Sequence, residues 1–122
     1  MPILFDLDGT LFDDSAAVLA GVNVLHSALA LPIPIHEFTA LWVMSQERHS
    51  AAYLAGKTTF QEQRRARIRE VTQRPLSDAD ADQLFRAYLT GYESAWGLFQ
   101  DVLPCLDCLS RYRLGVLTNG DA

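Results

Sequence analysis

Cysteine is nearly missing from this sequence: 122 residues contain two, Cys105 and Cys108, three positions apart. That number cannot build a disulfide framework, and both read as small apolar helix residues; a redox or zinc role would need partners that are not nearby. Lysine is scarcer still, with Lys57 standing alone. No apolar run approaches the roughly 20 residues that a membrane span needs, and no basic segment precedes an apolar one at the N-terminus. A cytoplasmic protein is expected. Positive charge is also in deficit, with 10 Lys and Arg against 15 Asp and Glu and a net charge of −5. Nucleic acids and anionic membranes, which need a concentrated positive field, are therefore not expected partners. Small molecules are, while the oligomeric state leaves no mark on the sequence.

What is present suits a globular chain, 49% hydrophobic and 20% charged. Pro2 to Leu7 is an apolar run interrupted by Asp6 and stopped by Asp8-Gly9, the pattern of a buried parallel strand. From Ser15, read as an N-cap, Leu19, Val22, Leu25, His26 and Leu29 keep helical spacing until the Pro32 to Pro34 break. A second helix is predicted over Glu37 to Ala55, with Phe38, Leu41, Trp42, Ser45, Ala52 and Tyr53 along one side and Gly56 as its stop. A third follows from Thr59 to about Gln73. The fourth, Ser77 to Trp96, opens with an acidic turn and carries the clearest stripe, Ala81, Leu84, Phe85, Tyr88, Leu89, Tyr92 and Trp96. A last helix over Asp101 to Tyr112 leads into a strand formed by Leu114, Val116 and Leu117, which ends at Thr118-Asn119-Gly120.

The fold class is α/β. About a hundred residues separate the two strands, far more than one crossover helix requires, so residues 14–96 read as an inserted helical unit. Two parallel strands alone do not make a stable sheet, so further strands are expected from a longer chain or a second one.

Ligands of an open parallel sheet gather at the carboxyl ends of its strands, where both polar constellations lie. Alternation along the chain sends Asp6 and Asp8 in one general direction, and such a pair repels itself unless a cation joins it. Hard oxygen donors suit Mg²⁺. Gly9 permits a sharp turn whose N–H groups face an anion, Thr118 adds a hydroxyl, and Asn119-Gly120 adds further backbone donors. Asp8-Gly9 alone is a common turn and Thr118-Asn119-Gly120 alone is weak. Asp6 tips the balance, since an unpaired carboxylate in a buried strand costs several kcal/mol.

Ile3 to Phe12, ILFDLDGTLF, resembles the first signature of the haloacid dehalogenase-like hydrolase superfamily, and VLTNG at Val116 to Gly120 resembles its second. The resemblance implies a Rossmann-like parallel core, here residues 1–13 and 97–122 with only its first strands, and a helical-bundle cap over residues 14–96. It implies that Asp6 attacks phosphorus to form an aspartyl-phosphate, that Asp8 protonates the leaving oxygen and then activates water, and that Thr118 and nearby N–H groups bind phosphoryl oxygens. Mg²⁺ would be held by the Asp6 carboxylate and the Asp8 carbonyl. Dehalogenases of the superfamily lack the second aspartate, so Asp8 implies phosphate chemistry. The expected reaction is hydrolysis of a small phosphate ester of the sugar-phosphate or nucleotide kind; the alternatives are a phosphomutase or a non-catalytic interaction protein. The superfamily's lysine and its remaining acidic metal ligands have no counterpart after the second signature, since Lys57 falls in the cap and Asp121 follows too closely. The 122 residues by themselves are expected to be inactive.

Within the cap, Arg64, Arg65, Arg67, Arg69, Lys57 and His49 are candidates for touching an acidic substrate, set against a solvated face paired with Glu62 and Glu70. Trp42, Tyr53, Tyr88, Tyr92 and Trp96 could stack on a base or sugar, but their helical spacing favours a core role. His26, His36 and His49 lack metal-ligand spacing.

Overall fold

The computed structural model describes residues 3–6, 13–97 and 100–117. The element order is β1 (Ile3–Asp6), α1 (Asp14–Leu29), α2 (Ile35–Leu54), α3 (Phe60–Thr72), α4 (Asp78–Ser94), α5 (Val102–Cys108) and β2 (Leu114–Leu117). Strand, four helices, one helix, strand is the predicted order.

Local chemistry fixes the helix ends. Asp13, not Ser15, caps α1, because its carboxylate accepts the Ala16 N–H at 3.1 Å and so satisfies one of the free donors of the first turn. Thr59 does the same for α3 through the Glu62 N–H, and Ser77 for α4 through the Asp80 N–H. Gln73 ends α3 in the left-handed region at φ 53°, and Gly56, at φ 73°, turns the chain after α2. The last helix is shorter than its predicted span of Asp101 to Tyr112, stopping at Cys108. Both cysteines are exposed rather than tucked against the fold.

The four long helices share one core. Val22, Leu25, Phe38, Trp42, Ile68, Phe85 and Tyr88 are buried together, each removing apolar surface from water. The α1 and α4 pair makes the most extensive packing of the molecule. Two glycines allow it: a Cβ on Gly91 would lie 2.7 Å from the Ala20 carbonyl, and one on Gly21 would lie 2.8 Å from the Tyr88 carbonyl. The predicted stripes were too wide at their edges. Leu19, Leu41, Tyr53 and Trp96 are exposed, whereas Ala17 and Val18 of α1 are buried.

β1 and β2 pair in parallel, with Ile3 opposite Leu114, Leu4 opposite Gly115, Phe5 opposite Val116 and Asp6 opposite Leu117. The expectation of burial fails for these strands. Leu4, Leu114 and Val116 are exposed, since a sheet of two strands has too little material to cover its apolar side chains.

Candidate functional site

The parallel register decides the geometry of the strand ends. The last described residues of the two strands, Asp6 and Leu117, face each other across the ladder, so β1 and β2 run toward the same edge of the sheet. The Asp6 backbone is thus beside the residue that precedes Thr118. The Asp6 side chain, Asp8, Gly9, Thr118, Asn119 and Gly120 lie outside the described residues. Among the described residues there is no group of three or more His, Cys, Asp or Glu side chains able to hold a metal.

The two passages between sheet and helices are tied to each other. The Asp13 N–H donates to the Gly97 carbonyl at 2.8 Å, and the Tyr92 hydroxyl donates to Asp14 Oδ1 at 2.8 Å. Sequence reasoning assigned Tyr92 to the core stripe and gave Asp13 and Asp14 no role. Their signal was available: two consecutive carboxylates just past the first signature and before an apolar helix.

The cap arginines separate into three environments. Arg65 grips both Asp82 oxygens at 2.9 Å and also pairs with Glu62, while Arg69 pairs with Asp78 at 2.6 Å. These are structural ion pairs, and the Asp82 carboxyl is held below its usual range chiefly by the Arg65 bonds. Arg67 is not on a solvated face. It is 6% exposed, with its guanidinium carbon 4.4 Å from the Trp42 ring centroid and 5.1 Å from that of Phe85. Burial brings its pKa down to about 10. Arg64 lies over the Phe60 and Phe85 rings and, with Arg86 and Asp82, lines a cleft of about 180 Å³. Glu70 is engaged from α2, by Arg48, His49 and the Ser45 hydroxyl. His49 has its pKa lowered by burial and by the nearby Arg48 and Arg67 charges. His26 Nε2 meets the Ile33 carbonyl at 2.7 Å, a structural contact.

Of the aromatic candidates, Trp42 and Tyr88 are core residues with ring centroids 4.6 Å apart. Tyr53 packs its edge on Phe60, and Trp96 packs on Tyr92.

Residues 3–122 match the haloacid dehalogenase-like hydrolase family. The chain belongs to that family. Phosphoglycolate phosphatases of Salmonella typhi and Salmonella paratyphi A are 29% identical to this haloacid dehalogenase-like chain over 129 aligned positions, 96% of the chain and 50% of each relative. The chain spans about half the length of these curated relatives. Among solved structures, the magnesium-bound HAD-hydrolase YfnB from Bacillus subtilis superimposes with a TM-score of 0.83 at 23% identity, over 99% of this chain and 54% of that one. A 2-haloacid dehalogenase from Pseudomonas syringae pv. Tomato DC3000 gives a TM-score of 0.57 at 25% identity, over 99% of this chain and 56% of that one. The α/β fold with a helical cap is that of haloacid dehalogenase-like hydrolases. No described helix is long and apolar enough to cross a membrane.

Proposed function

We propose that the protein carrying this chain is a Mg²⁺-dependent phosphatase that hydrolyses a small phosphorylated metabolite of the sugar-phosphate or nucleotide kind, with Asp6 as nucleophile. One observation carries this reading: the in-register parallel pairing that sets Asp6 opposite Leu117. Asp8 and Gly9 follow the first strand end, and Thr118, Asn119 and Gly120 follow the second, so both polar groups issue from neighbouring strand ends. The phosphoglycolate phosphatase relatives support a small, anionic phosphate ester.

In this reading Asp6 attacks phosphorus, forming an aspartyl-phosphate and splitting one difficult displacement into two easier ones. Asp8 gives its proton to the leaving oxygen and later takes one from the attacking water. The Thr118 hydroxyl and the N–H groups around Gly9, Asn119 and Gly120 bind the phosphoryl oxygens as charge builds on them. Asp6, Asp8 and Thr118 offer oxygen donors only, the set a hard cation prefers, and YfnB binds magnesium on the same fold. The Asp6 carboxylate and the Asp8 carbonyl would hold Mg²⁺, which supplies neutralisation of the transferring group's charge. Asp8 argues against dehalogenation, because a halide leaves without a proton. The acidic balance and the absence of a membrane-spanning helix among the described residues fit a cytoplasmic enzyme of small molecules, with neither nucleic acid nor membrane as partner.

The test is phosphate release by the whole protein from a panel of small phosphate monoesters, with Mg²⁺ and with a chelator. Asp6→Asn should abolish turnover; equal rates in the two forms would remove the nucleophile assignment. Release of inorganic phosphate without a bisphosphate activator excludes the mutase.

A further inference from the structure

One exposed flank of α2 carries a short seam that is complementary to itself. Phe38, Trp42 and Ser45 turn into the core, and Glu37, Leu41, Met44 and Arg48, each of which sits one residue before a core-side position, form an exposed stripe turned about 100° from the buried face. Their spacing of four, three and four residues is the spacing at which one helix meets another along a straight line. Leu41 is 47% exposed and Met44 57%, high for two large apolar side chains adjacent on one helix face. The charges at the two ends of the stripe are opposite in sign.

The order of these residues selects the partner. Positions 37 and 48, and likewise 41 and 44, are symmetric about the point midway between residues 42 and 43. An antiparallel copy of α2 placed across that point sets Leu41 against Met44 and Glu37 against Arg48, and the twofold axis repeats both contacts. Further out it sets Ala51 against Pro34, both exposed and small enough for the helices to approach. Arg48 already pairs with Glu70 on α3, yet 59% of its side chain remains exposed, and a guanidinium has donors for a second carboxylate. Glu37 has no ion pair among the described residues. A parallel copy would instead place like residues together, Glu37 on Glu37 and Arg48 on Arg48.

We propose that this face of α2 is a twofold interface at which two copies of the chain associate through their caps. The seam is about 17 Å long at 1.5 Å per residue, which places the contact at the small end of protein interfaces. The dimer is accordingly reversible and concentration-dependent.

Sedimentation velocity of the whole protein, from about 10 µM to about 1 mM, reads this directly. The sedimentation coefficient rises with concentration, and Met44→Glu weakens association by about tenfold or more. Glu37→Arg and Arg48→Glu each weaken it by about threefold or more, because each creates two like-charge contacts. An equimolar mixture of those two variants regains wild-type association, since one chain of each kind satisfies both pairs. Should Arg48→Glu upset the Glu70 cluster and cost helical circular dichroism, Leu41→Glu mixed with Met44→Lys makes the same test at the inner pair. A chain that stays monomeric throughout overturns the proposal. So does self-association that survives Met44→Glu, as contact through the exposed sheet residues Leu4 and Val116 would, or a mixture no tighter than its separate components.

Discussion

The phenol of Tyr92 donates a hydrogen bond to Oδ1 of Asp14 at 2.8 Å, joining residues 78 positions apart. Asp14 opens α1 and Tyr92 lies in the last turn of α4, so the bond ties together the two places where the chain passes between cap and strands. The Asp13 to Gly97 backbone bond reinforces it. The helical unit is thereby closed at its base.

Tyr92→Phe keeps the ring and removes the bond. A part-buried hydrogen bond to a carboxylate contributes about 1–2 kcal/mol, so the variant should unfold at a measurably lower denaturant concentration with an unchanged m-value. A midpoint equal to that of the wild type would show that the tie carries no stability.

Arg67 is a cation buried on aromatic faces, without a carboxylate within ion-pair distance among the described residues. Desolvation opposes its charge, and the Trp42, Phe85 and Tyr88 rings offset part of that cost. Arg67→Met fills similar volume without the charge and should leave stability within about 1 kcal/mol of wild type or raise it. Arg67→Ala opens a cavity beside Trp42 and should cost about 2–4 kcal/mol. Chemical denaturation of both variants separates packing from charge; equal losses would mean that the charge itself stabilises the core.

These two residues also show how far the sequence could be read. Helical spacing located α1 to α4 and their inner positions, because Phe38, Trp42, Phe85 and Tyr88 recur at the helical period. It misjudged Leu19 and Leu41, which flank the buried stripe, since the width of a buried face depends on neighbours that periodicity does not contain. The arginine partners were hidden for the same reason. Arg65 meets Asp82, 17 residues away on another helix, and Arg67 meets rings from two others, whereas the sequence exposes only pairs within one helix. At the strand ends the opposite holds. Two apolar runs, each followed by a polar stop, were enough to locate the strands as a parallel pair, while their register, with Asp6 opposite Leu117, came only from the structure.

His49 gives a pH dependence with a definite sign. Burial, then the Arg48 and Arg67 charges, lower its pKa from 6.5, so the folded chain binds its proton less readily than the unfolded chain does. The unfolded state therefore holds more protons over the interval from 6.5 down to the lowered folded value, and stability falls as pH falls through it. His49→Gln should flatten that part of the stability profile while leaving the region above 6.5 nearly unchanged. Denaturation midpoints measured across this interval would contradict the assignment if the variant kept the wild-type slope.

The proposed role of Asp8 makes a prediction that depends on the leaving group. A general acid matters most when the departing oxygen is strongly basic and very little when it is already a good leaving group. In the whole protein, Asp8→Asn should lower kcat for an alkyl phosphate by about a hundredfold or more, and for a nitrophenyl phosphate by much less. Asp6→Asn should suppress both substrates alike, since no leaving group replaces the nucleophile. Rapid acid quench completes the distinction: Asp8→Asn should still build up an aspartyl-phosphate from the aryl substrate, because attack proceeds while activation of water is impaired. An equal loss on both substrates without that accumulation would assign Asp8 to metal or structural support instead of proton transfer.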